Sequence, residues 1–141
     1  MIYKITPYKS VNNFNFGETP SSVKKKNGAP YKSIKDNIQD IITEERAGCE
    51  LVYEERRLSY ITLNKNVTPM IGNIQLFSGN AVAELKALDQ DFLEGDQYII
   101  FRNLGVCIGG LMKKKIPEGK IVNVFSKDKI EFFEFVVKDD L

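Results

Sequence analysis

The chain contains no histidine, and that absence narrows its chemistry more than any motif does. Imidazole is the usual general base near neutral pH and the commonest metal ligand. Ser-His-Asp and Cys-His catalysis, most zinc sites and two-histidine ribonuclease chemistry are therefore excluded. Carboxylate-only and lysine chemistry remain. The carboxylates gather in two places. Asp36, Asp40, Glu44 and Glu45 lie before and along one strand-like segment, and Asp89, Asp91, Glu94 and Asp96 precede another. If both quartets form one acidic edge, it suits the cationic cleft of another protein, because complementary charge speeds association and fixes register. Ordinary solvation of loops is the competing account of the same residues. Asp89-Gln90-Asp91 lacks the full spacing of a calcium loop, so neither a metal nor a cofactor is expected.

Other chemistry-bearing groups give less. Cys49 and Cys107 are too few for a disulfide framework, and neither belongs to a CxxC pair. They are expected as buried thiols in a reducing compartment. Lys24-Lys25-Lys26 and Lys113-Lys114-Lys115 carry no interleaved aromatics, so solvated surface accounts for them better than base stacking. Glu54-Glu55-Arg56-Arg57 has the look of a charged hairpin tip, and Gly109-Gly110 of a bulge inside an apolar strand.

The 141 residues fit one domain. A domain near this size buries roughly 70% of the surface that its unfolded chain exposes, enough to fold without staples. Lys and Arg number 20 against 19 Asp and Glu, a net charge of +1. A dedicated nucleic-acid binder usually shows a basic excess, so direct nucleic-acid binding is not expected. No stretch approaches the roughly 20 apolar residues of a spanning helix. The start, Met1-Ile2-Tyr3-Lys4-Ile5-Thr6-Pro7, lacks the pattern of a signal peptide. A cytoplasmic protein is expected.

The elements that must position these groups read as a tandem repeat. Residues 11–16 match 71–76, residues 39–43 match 96–100, and residues 47–51 match 104–108 in their apolar positions. Helical patterns follow the first pair of segments. One spans Thr19 to Asn27, with Thr19 as N-cap, Pro20 at the first position and Gly28 as the stop. The other spans Ser78 to Leu88, with Val82, Leu85 and Leu88 on one stripe. Residues 58–63 and 121–126 supply a third strand to each half, and Ile130–Val137 reads as a last strand with Phe132, Phe133 and Phe135 on both its faces. The fold class is thus α+β: one antiparallel sheet with two short helices packed on it. Each half, about 11–63 and 71–126, is strand, helix and three strands. In residues 49–54, alternation sets Cys49, Leu51 and Tyr53 on one face and Glu50, Val52 and Glu54 on the other. That second, wet face or its bordering loops is where a partner is expected to bind.

Phe14-Asn15-Phe16-Gly17-Glu18-Thr19-Pro20-Ser21-Ser22-Val23, followed by Asn27-Gly28-Ala29-Pro30, resembles a recurring bacterial pattern. It occurs in small tandem-repeat proteins of the beta-lactamase-inhibitor-like and outer-membrane lipoprotein folds. It is also similar to small cytoplasmic proteins that serve as immunity proteins beside contact-dependent toxins. Asn27 stands where the pattern has leucine, and no lipoprotein cysteine follows a signal, which argues against the envelope members. The resemblance implies a binding protein that occludes the active site of a cognate toxin, a nuclease among the options, and carries over no site residues. A protein- or ligand-binding housekeeping module and a carboxylate-dependent enzyme are the alternatives.

Overall fold

Alternating apolar residues draw most of the chain into strands, and glycines and asparagines set where they turn. The computed structural model describes residues 1–111 and 121–139. The Lys113-Lys114-Lys115 run lies outside them. The chain opens with β1 (Ile2–Thr6), β2 (Ser10–Val11) and β3 (Phe14–Asn15), then α1 (Pro20–Asn27). A four-strand meander follows: β4 (Lys32–Asp36), β5 (Ile41–Arg46), β6 (Cys49–Glu54) and β7 (Arg57–Leu63). Next come β8 (Thr68–Ile71), β9 (Ile74–Gln75) and α2 (Ala81–Leu88). A second meander consists of β10 (Phe92–Glu94), β11 (Tyr98–Phe101), β12 (Val106–Gly109) and β13 (Ile121–Phe125). A 3₁₀ turn (Lys127–Lys129) leads into α3 (Ile130–Asp139).

The class is α+β, but with two sheets where one was expected. The larger has eight antiparallel strands in the order β10-β11-β12-β13-β7-β6-β5-β4, so the two meanders meet at their last strands. The smaller, β3-β2-β1-β8-β9, is mixed, because β1 runs parallel to β8. Residues 11–16 and 71–76 are not single strands. Each turns back on itself, at Asn12 (φ 51°) and Gly72 (φ 55°), in the left-handed region that Asn and Gly tolerate. Each meander also has a fourth strand, β4 or β10, that the sequence reading lacked.

On the inner face, α1 follows its end signals. The Thr19 hydroxyl accepts from the Ser22 amide at 3.2 Å, Pro20 opens α1, and Gly28 (φ 80°) closes it. The small sheet, α1 and α2 cover one face of the large sheet. Tyr3, Ile5, Val23 and Leu85 meet Leu51, Tyr53, Ile61, Phe101 and Val124 in one core. Gly48 (φ 73°) turns β5 into β6 with Val67 packed where a Cβ would stand. Gly109 ends β12 opposite Ile121, against the Tyr98 ring, as a close approach rather than a bulge.

The segment 130–137 is a helix, not a strand. Phenylalanine and valine favour strands in general, but Ile130, Phe133 and Val137 recur at helical spacing. Phe133 and Val137 are the buried residues of α3, with Ile130 packed beside them. They pack on the outer face of the large sheet against Ile100, Cys107 and Phe125. Phe133 lies on Phe125 with ring centroids 4.7 Å apart, an arrangement worth about 0.5–1.5 kcal/mol beyond its buried area.

Candidate functional site

The register decides which side chains share the outer face. Along β5, Ile42 packs with the inner core, so Ile41, Thr43 and Glu45 point outward. Their cross-strand neighbours are Asp36, Ile34 and Lys32 of β4, and Glu54, Val52 and Glu50 of β6. Tyr60 and Thr62 of β7 continue the rows beside Val52 and Glu50. Helix α3 lies over β10 and β11, and among the described residues no helix lies over this half of the outer face. Its wall is the start of α3. Phe132 stacks beside Tyr60 at 6.2 Å, and Lys129 Nζ donates to Glu54 Oε2 at 2.9 Å while standing 4.3 Å from the Phe132 ring centre. Phe132 and Phe135 are exposed, whereas Phe133 is buried. The wet face expected from residues 49–54 is this surface, with Val52 itself buried between its neighbours.

One row of the surface runs Ile34, Thr43, Val52 and Tyr60 towards Phe132, and the row beside it runs Lys32, Glu45, Glu50 and Thr62. Glu45 is exposed and Glu50 half-buried; neither forms an ion pair among the described residues. Burial raises the Tyr60 pKa, and the negative field of Glu54 and Glu50 raises it further. A mostly apolar row bordered by charged side chains is the kind of surface that protein interfaces use. At the β6–β7 end it adjoins a cleft of about 410 Å³ lined by Glu54, Glu55, Arg57, Ser59 and Asp128 among others.

The two acidic quartets do not form one edge. They sit on β4–β5 and around β10, at opposite ends of the eight-stranded sheet, roughly 30 Å apart at the usual strand spacing. Within the first quartet, Asp36 is exposed and its Oδ1 accepts from the Ile38 and Gln39 amides at 3.0 and 3.2 Å, shaping the β4–β5 turn. Asp40 holds a left-handed conformation (φ 53°) in that turn. Glu44 points inward and is 4% exposed. Its Oε1 accepts from the Tyr53 hydroxyl at 2.9 Å and from Arg46 Nε at 3.3 Å. Burial, and then this contact with Glu44, pushes the Tyr53 pKa far up. Glu45 faces the open surface with Lys32 opposite it, and Asp36 faces outward at the far end of β4, opposite Ile41.

The second quartet is absorbed by its own neighbourhood. Asp89 is 2% exposed. Its carboxylate accepts from the amides of Asp91, Asn103 and Leu104 at 2.9, 2.8 and 3.2 Å, and from Asn103 Nδ2 at 3.0 Å. Asp91 pairs with Arg102 at 3.1 Å and Glu94 with Lys86 at 2.7 Å. Asp96 is exposed. These acids pin the turn between β11 and β12 and the edge at β10.

Sequence reasoning did not find Tyr31, Ile34 and Ile38, which are 80%, 51% and 97% exposed along and beside β4. A signal was present: three large apolar residues stand within eight positions that show no burial pattern. Both cysteines are free and buried, and burial pushes the Cys49 and Cys107 thiols up to about 11 and about 12. Among the described residues, no three of Cys, Asp and Glu gather into a metal-binding group, and no helix is long and apolar enough to cross a membrane. Comparison with protein-family models, curated proteins and solved structures finds no match.

Proposed function

We propose that the chain is a binding protein that neutralises a bacterial toxin domain in the cytoplasm by covering its active site, and that it docks through the open half of the outer face. One observation carries this reading: α3 lies over one half of that face, and on the other half the row Ile34, Thr43, Val52 and Tyr60 is bordered on one side by the adjacent Glu45 and Glu50. Toxins that cleave nucleic acid present basic clefts, and an acidic rim supplies the complementary charge that steers encounter and fixes register. The scaffold is read as a duplication. The shared order of hairpin, helix and four strands supports it, as do left-handed turns at Asn12 and Gly72 and at Gly48 and Gly105.

The test is co-production with the toxin domain encoded beside it. Equimolar wild-type chain is expected to protect the host and to purify with that domain as a stoichiometric complex. The double charge reversal E45K/E50K is expected to weaken the complex about tenfold or more without unfolding the chain. A toxin that stays fully active in the presence of excess folded chain removes the reading.

A small-ligand-binding module is the second reading, and Arg46 favours it. Its side chain is 8% exposed, and its Nη2 is buried with no hydrogen-bond partner. A carboxylate entering the adjoining cleft of about 220 Å³, lined by Tyr3, Phe14, Asn27 and Tyr31, would supply one. Acetate titration followed by NMR decides: shifts centred on Arg46 and Tyr31 favour this reading, and their absence removes it.

A further inference from the structure

We propose that β4 is a self-pairing edge, to which a second copy of the chain adds its own β4 antiparallel about a twofold axis at Ile34. All five residues of β4 are exposed, and the strand is the last of its sheet, hydrogen-bonded on one side only, to β5. An open strand edge is a template for another strand, and proteins blunt such edges when pairing is unwanted. The opposite edge is blunted. β10 has three residues, lies near α3, and has Glu94 paired with Lys86.

The register selects the occupant. Two antiparallel edges related by a twofold axis perpendicular to the sheet keep the same face outward, so residues of like parity must meet. Pairing centred on Ile34 sets Lys32 opposite Asp36 of the second copy, twice over, and Ile34 on Ile34. Asp36 spends Oδ1 on its own turn and leaves Oδ2 for that lysine. The neighbouring permitted registers are worse. One centres Lys35 on Lys35, and the other sets Lys32 against Ile34. Opposite charges across a pair of strands stabilise it, and like charges oppose it.

The pairing does not rest on the toxin reading. It uses the strand edge, and it sets the open outer faces of both copies side by side on one continuous sheet. Sedimentation equilibrium of the whole chain from micromolar to millimolar concentration tests it, with circular dichroism as the folding control. Wild type is expected to dimerise. K32D sets aspartate against Asp36, and D36K sets lysine against Lys32, so each alone is expected to raise the dissociation constant about tenfold or more. The double variant K32D/D36K again sets opposite charges at both ends and is expected to dimerise more tightly than either single variant. An equimolar mixture of the two single variants is expected to form the mixed dimer, since opposite charges then meet at both ends. A wild-type chain that stays monomeric throughout, or a dimer indifferent to these reversals, overturns the proposal.

Discussion

The two ends of the eight-stranded sheet are made from similar strand runs and finished in opposite ways. At the β10 end, α3 closes the outer face with Phe133 and Val137. There Arg102 binds Asp91 and Glu134 at 3.1 and 2.6 Å, and Asp89 collects three backbone amides. At the β4 end no helix among the described residues covers the outer face, and Tyr31, Ile34 and Ile38 are exposed. The difference teaches that composition does not tell an acidic cluster that builds a turn from one that faces outward. Asp89 and Glu45 come from matching quartets, yet one is consumed by the fold and the other is not.

The widest gap is expected between the buried and exposed sides of α3, the helix that closes one end. Phe133→Ala removes the ring stacked on Phe125 and is expected to destabilise the protein by about 3–5 kcal/mol. Phe135→Ala, on the exposed side of the same helix, is expected to change stability by less than about 0.5 kcal/mol. Urea unfolding of the two variants measures both. Equal losses would mean that α3 is buried all round and that the wall of the open surface does not exist.

A smaller contrast separates the quartets. Asp89→Asn weakens charge-assisted bonds to three amides and is expected to lose about 1.5–3 kcal/mol, while Glu45→Gln is expected to lose under about 0.5 kcal/mol. The same denaturation curves check it, and a costly Glu45→Gln would show that this carboxylate, too, is structural.

Alkali probes the same burial. Burial raises Tyr8 and Cys107 to about 12 and Cys49 to about 11, from ordinary values of 10.0 for tyrosine and 9.0 for cysteine. The folded state therefore holds these protons more tightly than the unfolded chain. Stability contributed in this way is complete below pH 9 and is lost as pH rises through the folded values. Unfolding free energy is expected to fall between pH 9 and 12, and to fall less steeply in Cys107→Ala. A flat profile across that range contradicts the burial of these groups.

Much of the large sheet was legible because residues such as 49–54 and 58–63 alternate cleanly between core and solvent. Thr19, Pro20 and Gly28 likewise announced α1. Legibility failed where local chemistry competed. Phe132, Phe133, Phe135, Val136 and Val137 favour a strand by type, and only the spacing of Ile130, Phe133 and Val137 betrays the helix. Asn12 and Gly72 hid hairpins inside what read as strands. Lys32–Asp36 escaped because a wholly exposed edge has no apolar alternation to detect. The quartets were misjoined for a geometric reason: runs that meet at their last strands send their first strands to opposite ends. Of the open surface, the outward set Glu50, Val52 and Glu54 was readable from alternation alone, but its wall depended on the helix that was missed.

The parallel pairing of Ile2 with Thr68 and Tyr3 with Pro69 carries a kinetic consequence. No local turn can form it, so a loop of some sixty residues must close before β1 gains its parallel neighbour, whereas each meander zips from contacts close in sequence. Loop closure of that kind slows folding more than it lowers stability. Refolding is thus ordered by topology, with the meanders early and the two long-range seams, β1 on β8 and β7 on β13, late.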